Sequence, residues 1–344
     1  MNIVEKLIKN HTLTKDEYIE LLSDWNNKEV KEKFKQEAIS LRKRYYGDKI
    51  FVRGLIEFTN YCKNNCYYCG IRRENRNVCR YRLTKKEILE CCDYGYELGF
   101  RTFVLQGGED PYFTDERMVD IVSSIKNNHP DCAVTLSIGE KSYESYKAYK
   151  EAGADRYLLR HETACDIHYG ILHPKEMKLS VRKECLYDLK DLGFQTGAGF
   201  MVGSPGQTLE SIADDLIFLQ ELKPEMVGIG PFIPHHETKF ANEPAGSVEF
   251  TLFLLSVVRI MLPKVLLPAT TALGTMAENG REQGILHGAN VIMPNLSPLK
   301  NRKQYELYDN KICTGEEAAE GLKDLEKRVA TVGCYISYER GDAI

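Results

Sequence analysis

Short runs of apolar, β-branched residues recur along the chain, and most are separated by segments with a helix-like pattern of polar and apolar positions. The runs are KIFVRGLIEF (49–58), RTFVLQG (101–107), AVTLSIG (133–139), DRYLLRH (155–161), QTGAGFMVG (195–203), EMVGIGPF (225–232), KVLLPATT (264–271) and ANVIMPN (289–295). Their near-continuous apolar character fits strands of a parallel sheet covered by helices. TKKEILECCDYGYELGF and LESIADDLIFLQELK are examples of the helical segments, and Thr84 and Ser142 stand where N-caps belong. Eight strand candidates alternating with helices predict an α/β fold, a parallel (β/α)8 barrel of the TIM type. A doubly wound open sheet is the alternative. The chain is expected to form one domain, with a helical lead-in over 1–48, the barrel over 49–299 and a short C-terminal helical appendage over 300–344.

In such barrels the active site gathers at the C-terminal ends of the strands. A cysteine loop follows the first run, GGED (107–110) the second, RHET (160–163) the fourth and GSPGQT (203–208) the fifth. Thr270 and Thr271 follow the seventh run, and Met293 to Asn295 the eighth.

Composition adds mainly exclusions. The 344 residues are 43% hydrophobic and 28% charged with a formal net charge of -4, which points to neither nucleic acid nor an acidic membrane surface. The first residues lack the apolar core of a signal peptide, and the most apolar stretch, TLFLLSVVRIMLP (251–263), contains Arg259 and is too short to span a bilayer. A cytoplasmic location is expected. Eleven cysteines are then expected as thiols or ligands rather than disulfides.

The chemistry concentrates in YCKNNCYYCGIRR (61–73), where Cys62, Cys66 and Cys69 have the spacing C-x3-C-x2-C. Thiolates ligate iron and zinc, and a [4Fe–4S] cluster usually takes four of them. Three leave one iron open to a small molecule, as catalytic zinc sites keep an open position. The competing reading is a closed zinc site with Cys79 as fourth ligand, but no second CxxC knuckle is present. Cys91, Cys92, Cys132, Cys165, Cys185 and Cys334 read as core or surface thiols.

Several other residues are candidates. The glycines of GGED permit close backbone approach by a ligand, and Glu109 can accept from an ammonium; a simple turn is the alternative. Arg160, His161 and Glu162 are costly to bury without partners, so they suit a barrel mouth or a structural salt bridge. The rigid fork of Arg182 could pair a carboxylate. Arg53, inside the first run, is read as pointing inward, where it would need an anion or polar ligand. Arg72, Arg73, Arg76, Arg80 and Arg82 either offset a cluster's negative charge or form a solvated basic face. His235 and His236 read as structural, and GSPGQT lacks the ending of a P-loop.

The cysteine spacing, with aromatic Tyr68 before the last cysteine, resembles the radical S-adenosylmethionine (SAM) superfamily. That resemblance implies a [4Fe–4S] cluster on Cys62, Cys66 and Cys69. It also implies that SAM chelates the fourth iron and is cleaved reductively to a 5′-deoxyadenosyl radical. It further implies SAM contacts from the Tyr68 backbone, Gly107, Gly108, Glu109, Glu162 and Arg182. CGIRRENRNVCRYRLT, VLQGGEDPY, RYLLRHETA, MVGIGPFIPH, PATTALGT and ANVIMPN, spread over roughly 50–312, resemble the HydE family of [FeFe]-hydrogenase maturases. The implied substrate is a small organometallic species, a cysteine-bound iron carbonyl cyanide, in a cavity with Arg53, Thr270, Thr271 and Met293. The implied partners are the maturases HydG and HydF and a reductant such as ferredoxin or flavodoxin. Some HydE proteins carry a second cluster on three C-terminal cysteines; here only Cys313 stands in place, so one cluster is expected. A methylornithine synthase-like or biotin synthase-like enzyme is the alternative within the superfamily. A non-catalytic iron–sulfur carrier is the alternative outside it, and would need the cysteines but not GGED and RHET.

Overall fold

The computed structural model describes residues 2–312 and 319–344. Cys313, on which the single-cluster expectation turns, lies outside the described residues. The strands are β1 (Lys49–Val52), β2 (Gly54–Thr59), β3 (Thr102–Gly107), β4 (Ala133–Ser137), β5 (Arg156–Leu158), β6 (Gln195–Ala198), β7 (Met201–Val202), β8 (Met226–Val227), β9 (Gly230–Pro231), β10 (Val291–Ile292) and β11 (Tyr335–Ser337).

β1 and β2 are one run joined at Arg53. From β2 the sheet proceeds in the order β2-β3-β4-β5-β6-β8, with every pair parallel. Met226 then bridges Leu266, Pro268 bridges Val291, and β10 pairs with β1. The ring closes, so the fold is the expected (β/α)8 barrel and not an open sheet. The seventh run contributes only those two bridges: Pro268 has no N–H to continue a ladder.

Helices cover the barrel, and their starts follow from local chemistry. Thr84 and Glu87 form a reciprocal capping box at helix Lys85–Glu97, and the Ser142 hydroxyl accepts from the Ser145 N–H at helix Tyr143–Glu151. The apolar helix Val248–Met261 is buried on both faces because the lead-in helix Lys28–Tyr46 packs over it, with Phe34 stacked on Phe253 at 5.6 Å. Its Arg259 is fully buried and satisfied by the carbonyls of Gly288 and Pro263 and by Asn290 Oδ1. No helix among the described residues is long and apolar enough to cross a membrane.

The appendage departs from expectation. It contains helix Leu322–Thr331 but ends in β11, which pairs in parallel with β1. The tail then runs under the barrel. The Arg156 guanidinium donates to Arg340 O at 2.9 Å and Asp342 Oδ1 at 2.7 Å, Thr102 Oγ1 donates to Arg340 O, and Ala343 N donates to Gln195 Oε1. Residues 340–343 thus cross the N-terminal end of the barrel.

Candidate cluster and cosubstrate site

After Thr59 the chain leaves the barrel rim and folds back over residues 60–83. Arg80 organises this loop: its guanidinium donates to the carbonyls of Asn60, Ile71, Arg72 and Asn75. Arg72 donates to Glu237 O, and Arg82 forms a two-pronged pair with Asp110 while lying 3.8 Å over the Tyr61 ring. These three arginines are therefore structural braces, whereas Arg73 and Arg76 are exposed. Gly70 has no room for a side chain, since a Cβ would lie 2.3 Å from both Glu306 O and His235 Cδ2.

The three thiols of this loop are in a costly place for bare thiolates. Burial lifts Cys69 to about 12 and Cys66 well above its ordinary range, with the neighbouring cysteines adding to both; burial also raises Cys62. Thiolates here need a cationic centre, which iron supplies. Cys79 is exposed, with its sulfur beside Gln304 Nε2, and does not complete a closed zinc site. Cys91, Cys92, Cys132, Cys185 and Cys334 are buried and Cys165 half-buried, as read from the sequence.

The GGED turn docks directly on the loop. A Cβ on Gly108 would lie 2.1 Å from Tyr61 O, and one on Gly107 would lie 2.8 Å from Thr59 Cγ2. Gly108 N donates to Thr59 O and Lys63 N to Glu109 O. Gly108 therefore already has a packing cause in the chain's own backbone, and Gly107 in the side chains of Thr59 and Phe58. Glu109 is buried, accepts from Glu140 N at 3.1 Å and has its second oxygen 3.3 Å from Lys63 Nζ. Gly139 (φ +79°) keeps that space clear, since its Cβ would fall 2.0 Å from Glu109 Cγ.

Glu140 is a residue that sequence reading missed. Its Oε1 is 2.6 Å from Arg182 Nε. Its place at the C-terminal end of the third run was the available signal. Burial raises the Glu140 carboxyl; for Arg182, burial opposes the cation, yet Glu140, Tyr169 and Glu109 hold its pKa well above the ordinary value. Glu162 comes from the next strand end, 3.1 Å from Arg160 Nη2, and its charge bears on Tyr68 and Cys69. Tyr68 meets His173 Nε2 through its hydroxyl at 3.3 Å, and Met177 Sδ lies 3.9 Å from Cys66 Sγ.

These ion pairs are close but poorly aligned. Glu109 Oε2, Glu140 Oε1, Glu162 Oε2, Arg160 Nη2 and Arg182 Nε are buried with no hydrogen-bond partner. Buried polar atoms are rarely left so. Carboxylates and guanidinium groups with spare capacity beside three thiols suit a zwitterionic aminoacyl group bound next to a metal centre.

A sequence profile, the Radical SAM superfamily, matches residues 56–219. The [FeFe] hydrogenase maturase subunit HydE of Thermotoga maritima is 46% identical over 331 residues, covering 96% of this chain and 94% of that protein. The chain belongs to the HydE family of the radical SAM superfamily. It is accordingly an enzyme of the radical SAM type, with a [4Fe–4S] cluster and SAM as its cofactors, and a protein of the hydrogenase maturation group. The crystal structure of methylornithine synthase superposes with a TM-score of 0.84 at 28% identity, covering 97% of each chain. The maturase HydG superposes with a TM-score of 0.82 at 21% identity over 98% of this chain and 75% of that one, which is a likeness of fold.

In this HydE-family barrel the residues expected at the substrate are spread in depth. Arg53 does point inward, but low in the barrel: Nη1 is 3.1 Å from Met226 Sδ, Nη2 donates to Gly341 O at 3.4 Å, and Nε is unpaired. Six residues of strand, about 20 Å at 3.3 Å each, separate it from the rim at Thr59. Met293 packs on the cluster that includes Met226, Leu266 and Val291. Thr270 and Thr271 sit higher, at the start of helix Thr271–Met276, and Thr270 Oγ1 is buried without a partner. Glu57, two positions beyond Leu55 on the inward face shared with Arg53, is a second residue that sequence reading missed. Fully buried, it is paired with Lys311 Nζ and accepts from Asn295 Nδ2 at 2.8 Å.

His235 and His236 join Asp309 in a compact group. His236 Nδ1 is 2.6 Å from Asp309 Oδ1, whereas His235 Nδ1 accepts from Glu237 N at 3.0 Å. The His235 proton is thereby placed on Nε2, facing Asp309 at 3.9 Å. The group is a hydrogen-bonded clasp between two loops, in keeping with the structural reading.

Proposed function

We propose that Cys62, Cys66 and Cys69 hold the cluster, and that SAM is seated by the Tyr68 backbone, Gly107, Gly108, Glu109, Glu162 and Arg182, with Glu140 orienting Arg182. The observation that carries this reading is the set of buried, incompletely hydrogen-bonded charges beside the thiols. When bound, cluster and SAM together supply a 5′-deoxyadenosyl radical. The chain's own residues bind and orient. Glu109 and Glu162 are acceptors for an ammonium or hydroxyl, Arg182 is a donor fork for a carboxylate, and the packed loops exclude water.

The substrate in this reading is a cysteine-bound iron carbonyl cyanide on the way to the diiron subcluster of [FeFe]-hydrogenase. Arg53, Thr270, Thr271 and Met293 would line its cavity, and the unpaired Arg53 Nε and Thr270 Oγ1 are donors suited to an anionic cyanide complex. HydG and HydF would be the partner maturases and ferredoxin or flavodoxin the reductant. The work would be done in the cytoplasm, where the seven described cysteines other than Cys62, Cys66 and Cys69 stay reduced thiols. Lead-in, barrel and appendage would act as one unit, with a single cluster.

The test is electron paramagnetic resonance of the anaerobically reconstituted, reduced protein with and without SAM, alongside assay of 5′-deoxyadenosine. The expected result is a [4Fe–4S] signal that changes on adding SAM, and loss of both cluster and SAM cleavage in Cys66→Ser with the circular dichroism of the barrel retained. A cluster indifferent to SAM, with no 5′-deoxyadenosine formed, would leave an iron–sulfur carrier as the better reading. SAM cleavage driven by a free amino acid and not by the iron complex would favour a methylornithine synthase-like activity.

A further inference from the structure

Among the described residues, four other than glycine have positive φ: His11, Glu162, Lys223 and Asn310. His11 and Lys223 are helix C-caps, where a left-handed residue is common. Asparagine tolerates this region through its short polar side chain. Glu162 (φ +65°) has neither reason. It follows a strand end, where glycine would adopt the same backbone without strain. A glutamate kept in such a conformation must be held there by its surroundings.

The surroundings that hold it are visible. Within the backbone, Glu162 N donates to Gly199 O at 3.0 Å, and Met201 N donates to Glu162 O at 3.4 Å. On one side His161 Nδ1 accepts from Gly199 N at 3.2 Å, so the remaining imidazole proton sits on Nε2, which faces Asp215 Oδ1 at 3.3 Å. On the other side an oxygen of the Asp215 carboxyl, whose pKa burial pushes well above its ordinary value, accepts from Ala164 N. Asp215 therefore hydrogen-bonds the chain after Glu162 and lies 3.3 Å from it before, where His161 Nε2 is close but not aligned for a hydrogen bond. It lies about fifty positions on, in helix Leu209–Leu222, behind the barrel wall. Both side chains are fully buried. Burial favours the neutral imidazole, reinforced by the nearby Arg160, Lys183 and Arg182. Two buried titratable groups are a costly way to fill a wall unless they hold something in place.

We propose that His161 and Asp215 are positioning residues: together they fix the left-handed turn at Glu162 and so set where its carboxylate meets SAM. The proposal rests on the reading of Glu162 as a SAM contact. Neither residue is assigned any contact with SAM itself.

The experiment titrates SAM into the reduced, cluster-loaded protein by electron paramagnetic resonance, for Asp215→Ala, Asp215→Asn, His161→Asn, Glu162→Gln and the double variants with Glu162→Gln. Asp215→Ala is expected to weaken SAM binding about tenfold, with iron content and the SAM-free signal unchanged. Asp215→Asn, whose amide oxygen still accepts from Ala164 N, should lose no more than about threefold. Each change should add nothing once Glu162 is already glutamine, because its effect passes through that side chain. His161→Asn keeps an acceptor for Gly199 N and gives up Asp215. It is expected to show the same non-additivity, and it carries the test if Asp215→Ala does not fold. Wild-type SAM affinity in Asp215→Ala, or a full further loss on top of Glu162→Gln, would overturn the proposal. Wild-type affinity in Glu162→Gln alone would instead overturn the underlying assignment of Glu162.

Discussion

Asp110, the last residue of GGED, accepts from Arg82 at 2.7 and 2.9 Å and from Thr59 Oγ1 at 2.7 Å, and so locks the second strand end onto the cysteine loop. Burial opposes its charge, but the Arg82 and Thr59 bonds prevail and hold its carboxyl below the ordinary value of 3.8. A depressed carboxylate contributes stability that is complete above the unfolded value and is lost as pH falls through the lower folded one. Asp110→Asn is therefore expected to cost about 1 kcal/mol at pH 7, at the low end for a bond to a charged group because Arg82 is partly exposed. Urea midpoints measure it, and the difference from wild type should be unchanged between pH 7 and pH 5. A difference already shrinking in that interval would contradict the depressed carboxyl. Individual residues of this mouth were legible to differing degrees. Cys62, Cys66 and Cys69 announce themselves by spacing, and GGED by its glycines. The packing cause of Gly108 was hidden, because the atom it makes room for, Tyr61 O, belongs to another loop. Asp215 was hidden for the same reason, because the residues it meets, His161 and Ala164, are distant in sequence, whereas Glu140 had its place after the third run as a signal.

At the scale of elements, strands long enough to form a ladder could be read from their apolar runs, and the shorter ones could not. β11 is three residues and half-exposed in part, too short to show an alternation, although Gly333 (φ +72°) ends the helix before it. Its pairing with β1 is supplied by the tail beyond it, where Asp342 meets Arg156 at 2.7 Å and also accepts from Gln195 Nε2 and Arg340 Nε. Arg156 is fully buried, and removing its carboxylate leaves that cation with fewer partners. Breaking a fully buried pair costs about 3–5 kcal/mol; Asp342 is partly exposed, so Asp342→Ala is expected to cost about 2 kcal/mol. The check is chemical unfolding together with SAM cleavage: stability should fall while cleavage by the folded fraction stays at the wild-type rate, because the tail lies at the opposite end of the barrel from the cysteine loop. A variant as stable as wild type would mean that β11 docks without the Asp342 network.

Taken as a whole, the molecule is a vessel whose two ends are both served by the C-terminal appendage. Below, residues 340–343 cross the floor. Above, Gln304 O accepts from Asn60 Nδ2, Leu307 O from Gly70 N, and Lys311 Nζ reaches the fully buried Glu57 inside the wall. Local pattern cannot reveal such an arrangement, since these contacts join residues 148 to 254 positions apart. Lys311 is the anchor most open to test. Its removal leaves a carboxylate buried with only Asn295 as partner, and an uncompensated buried charge costs about 3–5 kcal/mol. Lys311→Met should therefore destabilise the protein by about that amount, and the backbone amides of 303–312 should exchange with deuterium faster than in wild type, ahead of the barrel strands. Adding Glu57→Gln removes the stranded charge while keeping an acceptor for Asn295. The double variant should recover most of the lost stability, yet keep the faster exchange over 303–312, because the tether is still gone. Recovery of both would show that the segment is held by its other contacts; recovery of neither would show that Glu57 is needed in its own right, apart from Lys311.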